Sequence, residues 1–157
     1  MIHHISLPAR DPARVARVVA ELIGGSAQPF RGPFAGGAFM VAQGDAHGTA
    51  IEIYPETVAL RPGVDAQPLV FEQAAPGEHP GAFHALLSVG TTRAEVEAIG
   101  AREGWRTRFF GRAAPGKPPA FHVIEFWVEN RILLEVVTAD LVSEYESYMQ
   151  PENYAAY

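Results

Sequence analysis

Residues 132–138 read Ile132-Leu133-Leu134-Glu135-Val136-Val137-Thr138, a carboxylate inside an aliphatic run. So dense a stretch of β-branched and leucine residues reads as a strand. Strand alternation puts Leu134 and Val136 on one face and Glu135 on the other. A carboxylate among such neighbours needs a cation, a proton or a salt bridge, because burying it unpaired costs several kcal/mol. The pattern recurs at Thr49-Ala50-Ile51-Glu52-Ile53-Tyr54, where Ile51 and Ile53 oppose Glu52. Two further strand-like stretches each begin with a histidine. His4 and Ser6 oppose Ile5 and Leu7, and His84, Leu86 and Ser88 oppose Ala85, Leu87 and Val89. In all four stretches an aliphatic face can cover helices while a His or Glu turns the other way. His3 alternates with the aliphatic side and is the weaker candidate.

Outward from these stretches, the chain repeats one order of elements. Residues 2–7 read as a strand. Asp11-Pro12 opens a helix as N-cap and first helical residue, Val15, Val18, Val19 and Leu22 follow at helical spacing, and Gly24-Gly25 stop it. Strands are expected at 28–31, 37–43 and 49–54, the last two joined by a turn at 44–48, which makes βαβββ. Residues 55–81 carry five prolines among their glycines and read as a linker with a short extended piece at 69–71. The order then returns. There is a strand at 82–89, a helix opened by the capping box Thr92-Arg93-Ala94-Glu95, and a strand at 105–110. A loop at 111–119 leads to strands at 121–129 and 132–138 joined at Asn130-Arg131. A helix over 140–149 and an aromatic tail follow. The expectation is an α+β fold: two tandem βαβββ modules forming a curved mixed sheet around a cavity, plus a C-terminal helix. Module one is 1–54, module two 82–138, and 139–157 the helix and tail, within one domain of 157 residues.

Composition narrows the chemistry. The chain is 48% apolar and 19% charged with a net charge of −6, the profile of a globular protein and a poor match to a phosphate backbone. With no cysteine there are no disulfides, thiolate nucleophiles or thiolate-held metals, so a transition metal would rest on His and carboxylates. No basic leader precedes the first strand and no apolar run reaches the ~20 residues of a membrane span, so a cytoplasmic protein without a membrane partner is expected. His4, Glu52, His84 and Glu135 stand at matched places of the two repeats and are the candidate ligands of one divalent ion (Zn, Ni, Co, Mn or Fe), with room left for a substrate.

The run from His4 to Asp11, the stretches Gly48 to Glu52 and Phe83 to Val89, and Leu133-Leu134-Glu135-Val136 resemble the vicinal oxygen chelate superfamily. That superfamily includes glyoxalase I, methylmalonyl-CoA epimerase, extradiol dioxygenases, fosfomycin-resistance enzymes and bleomycin-binding proteins. The resemblance spans nearly all of residues 2–138. It implies paired βαβββ modules around a metal cavity, usually in a homodimer. His-Glu-His-Glu is its glyoxalase I pattern; the epimerase pattern has Gln where Glu52 stands. Pro8 occupies the place of an arginine that usually contacts glutathione in bacterial glyoxalase I. The implied function is a glyoxalase-like lyase or isomerase acting on a small oxygenated substrate through a metal-stabilised enediolate. Glu52 or Glu135 would shuttle a proton on carbon. A metal-free sequestering protein of bleomycin-resistance type and an Fe(II) ring-cleaving dioxygenase are the alternatives.

Three further residues are candidate substrate contacts. A two-residue turn at Asn130-Arg131 would set Phe126 opposite Glu135 and put Phe126 and His122 on the cavity side. His122 would then line the pocket or sit at its rim. Tyr54, two residues after Glu52, would offer its phenol to a substrate or fill the core. Arg106, Arg108 and Arg112, near Lys117, form the one basic run, either a solvated face or a receiver for a substrate carboxylate or phosphate. Tyr145, Tyr148, Tyr154 and Tyr157 would pack across a two-fold interface or cap the chain's own sheet.

Overall fold

The Asp11 side chain accepts the Arg14 N–H at 3.0 Å and Pro12 takes the first helical position, so the helix α1 (Pro12–Ile23) starts where the sequence places it. Val15, Val18, Val19 and Leu22 have no exposed surface, and Gly24, at φ 68°, ends the helix in the left-handed conformation that glycine adopts without strain. In the second module Thr92 and Glu95 cap each other reciprocally at the start of α2 (Arg93–Glu103). A Cβ on Gly100 would come within 1.9 Å of Thr107 Oγ1, so the absence of a side chain there lets α2 lie close on its sheet.

The computed structural model describes residues 4–29, 37–47, 49–61, 70–73, 75, 84–113 and 118–148. The chain divides into two compact units, Met1–Gly81 and Ala82–Tyr157. The first unit contains β1 (His4–Ala9), α1, β2 (Ser26–Pro29), β3 (Phe39–Ala42) and β4 (Ala50–Pro55), in a four-stranded sheet of order β1-β4-β3-β2. β1 runs parallel to β4, and the other pairs are antiparallel.

The same unit holds β5 (Val58–Arg61) and β6 (Val70–Gln73), an antiparallel pair. The stretch expected to be a linker therefore contains a two-stranded sheet. Val58–Arg61, only four residues long between Pro55 and Pro62, carries too short a pattern to announce a strand.

The second unit repeats the first. β7 (His84–Val89), α2, β8 (Thr107–Arg112), β9 (Phe121–Val128) and β10 (Ile132–Thr138) form a sheet of order β7-β10-β9-β8, with β7 parallel to β10. The helix α3 (Val142–Tyr148) follows. The α+β class and the tandem βαβββ order hold. The expected positions at Ile2, His3, Phe30, Arg31, Leu69, Ala82, Phe83, Lys117, Met149, Tyr154 and Tyr157 lie outside the described residues. No helix among the described residues is long and apolar enough to cross a membrane.

Several boundaries differ from the sequence reading, β2 by two residues, and two of the differences bear on the site. β8 runs on to Arg112, so Gly111 and Arg112 are strand residues and not the start of the loop. The β9–β10 connection takes three residues, with Glu129 at φ 52° and Asn130 at φ 56°. Asn130 is held there because its Oδ1 accepts the Arg106 N–H at 2.6 Å and its Nδ2 donates to the Gly104 carbonyl at 3.0 Å. The longer turn slips the register by one residue. Glu135 faces Glu125, and Phe126 faces Leu134.

Candidate functional site

In the first unit, β1 and β4 pair so that His4 lies beside Ala50 and Ser6 beside Glu52. Leu7, Ala9 and Ile53 are fully buried on the aliphatic face, whereas His4 and Ser6 are exposed and Glu52 half-buried on the other. Glu52 Oε2 accepts hydrogen bonds from Ser6 Oγ at 3.1 Å and from the Tyr54 phenol at 3.2 Å. Tyr54 itself is 6% exposed, its ring 5.6 Å from that of Phe71 on β6. The proline-rich stretch thus supplies an aromatic ring that packs on Tyr54.

Burial, with the Glu52 carboxylate next to it, pushes the Tyr54 phenol up from 10.0 to about 12. In the unfolded chain the phenol ionises near its ordinary value, so the unfolded state gains from rising pH before the native one does. Tyr54 is accordingly expected to make the protein less stable as pH climbs from 10 towards 12. Ultraviolet titration of phenolate should show one late tyrosine that Tyr54→Phe removes. A wild-type protein whose tyrosines all ionise together near pH 10 would contradict the geometry.

In the second unit, His84 lies beside Leu133 and Leu86 beside Glu135. The offset is that of the first unit: in both, the histidine's strand partner is the residue two before the glutamate. His84 and Glu135 line one cavity of about 510 Å³ together with Arg112, Phe121 and Tyr148. Glu135 is 8% exposed, and its counter-charge is visible. Arg112 Nε donates to Glu135 Oε1 at 2.7 Å, with Nη2 on the same oxygen, and Nη2 also reaches Glu125 Oε1 at 2.9 Å. Burial alone would lower the Arg112 pKa, but the two carboxylates outweigh it and hold the guanidinium above its ordinary range.

The sequence reading named Arg112 only within a basic run, as a solvated face or a receiver for a substrate anion, and did not single out Glu125; neither was placed beside Glu135. Ending the strand at Phe110 put Arg112 in a loop, and the assumed turn put Phe126 where Glu125 stands. The signal was the alternation of Arg108, Phe110 and Arg112, which continues through residue 112 on one face of β8.

Phe126 is not a cavity residue. The slipped register turns it to the opposite side of β9, where it has no exposed surface and meets Trp105 edge to face at 5.7 Å. His122 shares that side of the strand and is not among the residues lining the Glu135 cavity. Its ring stacks on Phe109 at 5.2 Å, and its Nδ1 lies 2.8 Å from Glu144 Oε2, which also accepts the His122 backbone N–H. His122 thereby ties α3 to β9. Tyr145 and Tyr148 of α3 pack on Phe121, with ring centroids at 5.3 and 5.2 Å, so these two tyrosines cap the chain's own sheet.

As to a metal, each unit presents one imidazole and one carboxylate, a donor set that suits a borderline divalent ion. Among the described residues no group of three or more His, Asp or Glu side chains is positioned to hold one. Each unit thus offers two candidate donors, a half-site, and in the second a guanidinium already sits on the carboxylate.

No protein-family model matches the sequence, and no curated protein does. Solved structures do match in fold. The fosfomycin resistance protein FosX from Listeria monocytogenes, in a monoclinic form, aligns with a TM-score of 0.57 at 12% identity, covering 94% of this chain and 98% of that one. A mutant of the same protein complexed with Mn(II) and 1S,2S-dihydroxypropylphosphonic acid aligns at 0.55 and 12% identity, covering 94% and 97%. A glyoxylase/bleomycin resistance protein/dioxygenase domain from a Frankia species aligns at 0.50 and 18% identity, covering 87% and 94%. With two βαβββ units of identical strand order and whole-length alignments of this kind, the chain has the vicinal oxygen chelate fold.

Proposed function

We propose that the protein is a glyoxalase-like, divalent-metal-dependent enzyme, a lyase or isomerase acting on a small oxygenated substrate. His4, Glu52, His84 and Glu135 are its ligands, within one domain of two modules. The observation that carries this reading is the shared offset of histidine and glutamate in the two units. Two independent strand pairings give it, and strand packing alone has no use for it. The Mn(II) in the structure of one fold neighbour supports the same reading. When bound, a divalent ion supplies Lewis-acid polarisation of a substrate oxygen. The chain's own part is to hold and move a proton: Glu52 or Glu135 takes one from substrate carbon and returns it. Ser6 and Tyr54 fix the carboxylate of Glu52 through Oε2, and no described donor reaches its Oε1. A homodimer in the cytoplasm, with a small-molecule substrate as partner, belongs to the same proposal.

The test is to strip the purified protein of metal, reload it with Ni, Co, Zn, Mn or Fe(II), and follow isomerisation of 2-oxoaldehyde–thiol adducts. Turnover is expected with at least one metal, and Glu52→Gln or Glu135→Gln should lower it by roughly 10²–10⁴-fold where the altered residue is the proton carrier. Inactivity with every metal and thiol overturns the reading. One observation favours a second reading, a metal-free binding protein: Arg112 already neutralises Glu135. Ligand binding that ignores both metal and His4→Ala would select it.

A further inference from the structure

The two half-sites satisfy their carboxylates by different means. In the first unit Glu52 is held by two neutral hydroxyl groups, from Ser6 beside it and Tyr54 two residues on, and the residue across from it on β3 is Met40. In the second unit the equivalent places are apolar: Leu86 lies beside Glu135, Val137 stands two residues on, and the cross-strand partner is a second carboxylate, Glu125. Like charges directly opposite on neighbouring strands repel. Arg112 from β8 is the cation that offsets this repulsion, bonded to Oε1 of each. All three groups are largely withdrawn from solvent, at 30%, 15% and 10% side-chain exposure for Arg112, Glu125 and Glu135.

We propose that Arg112 is a tethered competitor of the divalent ion, occupying Glu135 until the ion displaces it onto Glu125. This rests on the metal reading of Glu135. Glu125 is built as the place the guanidinium goes to. Its Oε1 already accepts Arg112 Nη2 at 2.9 Å, and its Oε2 accepts the Trp127 indole N–H at 3.2 Å, which fixes the carboxylate in place. No described donor other than Arg112 reaches Glu135. An ion arriving at Glu135 therefore meets a carboxylate whose charge a guanidinium on Oε1 already offsets, and is repelled by that guanidinium, whereas at Glu52 it meets only neutral donors. The second half-site's affinity is lowered by the fraction of time the guanidinium holds the carboxylate. Arg112 acts as a positioning residue, setting how tightly Glu135 takes up the ion.

The experiment is a Co(II) titration of the metal-free full chain, read by calorimetry and by the visible absorption of the bound ion. Arg112→Met leaves Glu125 as an extra negative charge, which would tighten binding for a trivial reason. The decisive variant is therefore Arg112→Met with Glu125→Gln, which keeps the net charge of the wild type. It is expected to bind Co(II) at least tenfold more tightly, with an unchanged absorption spectrum because the ligands are the same. Equal or weaker binding overturns the competition. Should that double variant fail to fold, Arg112→Lys decides: it keeps the charge but loses the paired N–H bonds to Glu135 Oε1, and should tighten Co(II) binding at least threefold, and unchanged affinity overturns the proposal. Co(II) binding by neither the wild type nor any variant overturns the metal reading as well. Binding that is equal in all of them overturns only the role of Arg112.

Discussion

Chelation of the metal-loaded protein at pH 8 is expected to lower its melting temperature by about 10 °C. An ion present at a thousand times its dissociation constant stabilises the folded state by about 4 kcal/mol, and in a chain of this length each kcal/mol moves the transition by about 2–4 °C. At pH 5 the response should shrink to about 2 °C. A histidine ligand must be neutral to bind, and an ordinary imidazole takes up its proton near 6.5, so protons displace the ion as pH falls. The sign follows from that competition: stabilisation by the ion is present above the imidazole range and lost below it. The metal-free protein does not collapse at pH 8, because Arg112 keeps Glu135 neutralised when the ion leaves. Differential scanning calorimetry with and without chelator measures the shift. The His84→Ala, Glu135→Ala double variant should lose it. A wild-type melting temperature indifferent to chelator and to added divalent ions at both pH values would remove these residues from any metal site.

Much of the fold is legible in the residues. Caps announce both long helices because their side chains have a specific donor to satisfy: Asp11 the Arg14 N–H, Thr92 and Glu95 each other. Strand parity at His4, Glu52, His84 and Glu135 is legible for a similar reason, since exchanging faces would bury charge and expose leucine or isoleucine. What stayed hidden depends on contacts far along the chain. The one-residue slip at β9–β10 turns on Asn130 tolerating φ 56°, and it does so because its amide reaches Gly104 and Arg106, more than twenty positions away. No local pattern at residues 129–131 reports that. The slip carried the largest error about the site, exchanging Phe126 for Glu125 opposite Glu135. The partners of Arg112 were hidden by the same kind of distance, since they are carboxylates on β9 and β10. The hairpin of β5 and β6 was hidden by composition, because prolines at its flanks outweigh four-residue strands in any local reading.

Truncating Phe126 to alanine is expected to cost about 3–5 kcal/mol of folding stability, the usual range for a fully buried phenylalanine. Its side chain has no exposed surface, lies between Leu134 and Thr107 on the neighbouring strands, and meets the Trp105 indole edge to face at 5.7 Å with the planes 74° apart. Set against the 5–15 kcal/mol that holds a typical domain folded, that loss is about a fifth or more of the whole. Urea denaturation should show the midpoint falling while the slope stays constant, the mark of a change in native stability. Phe126→Leu, which keeps most of the volume, should lose much less. The experiment also decides between the two registers. If a two-residue turn set β9 against β10, Phe126 would stand opposite Glu135, and the same truncation would weaken ligand or metal binding with a modest effect on folding. In the register observed, Glu125 holds that place. Phe126→Ala should then unfold easily yet bind Co(II) with wild-type affinity wherever it is still folded, and Glu125→Gln should do the reverse.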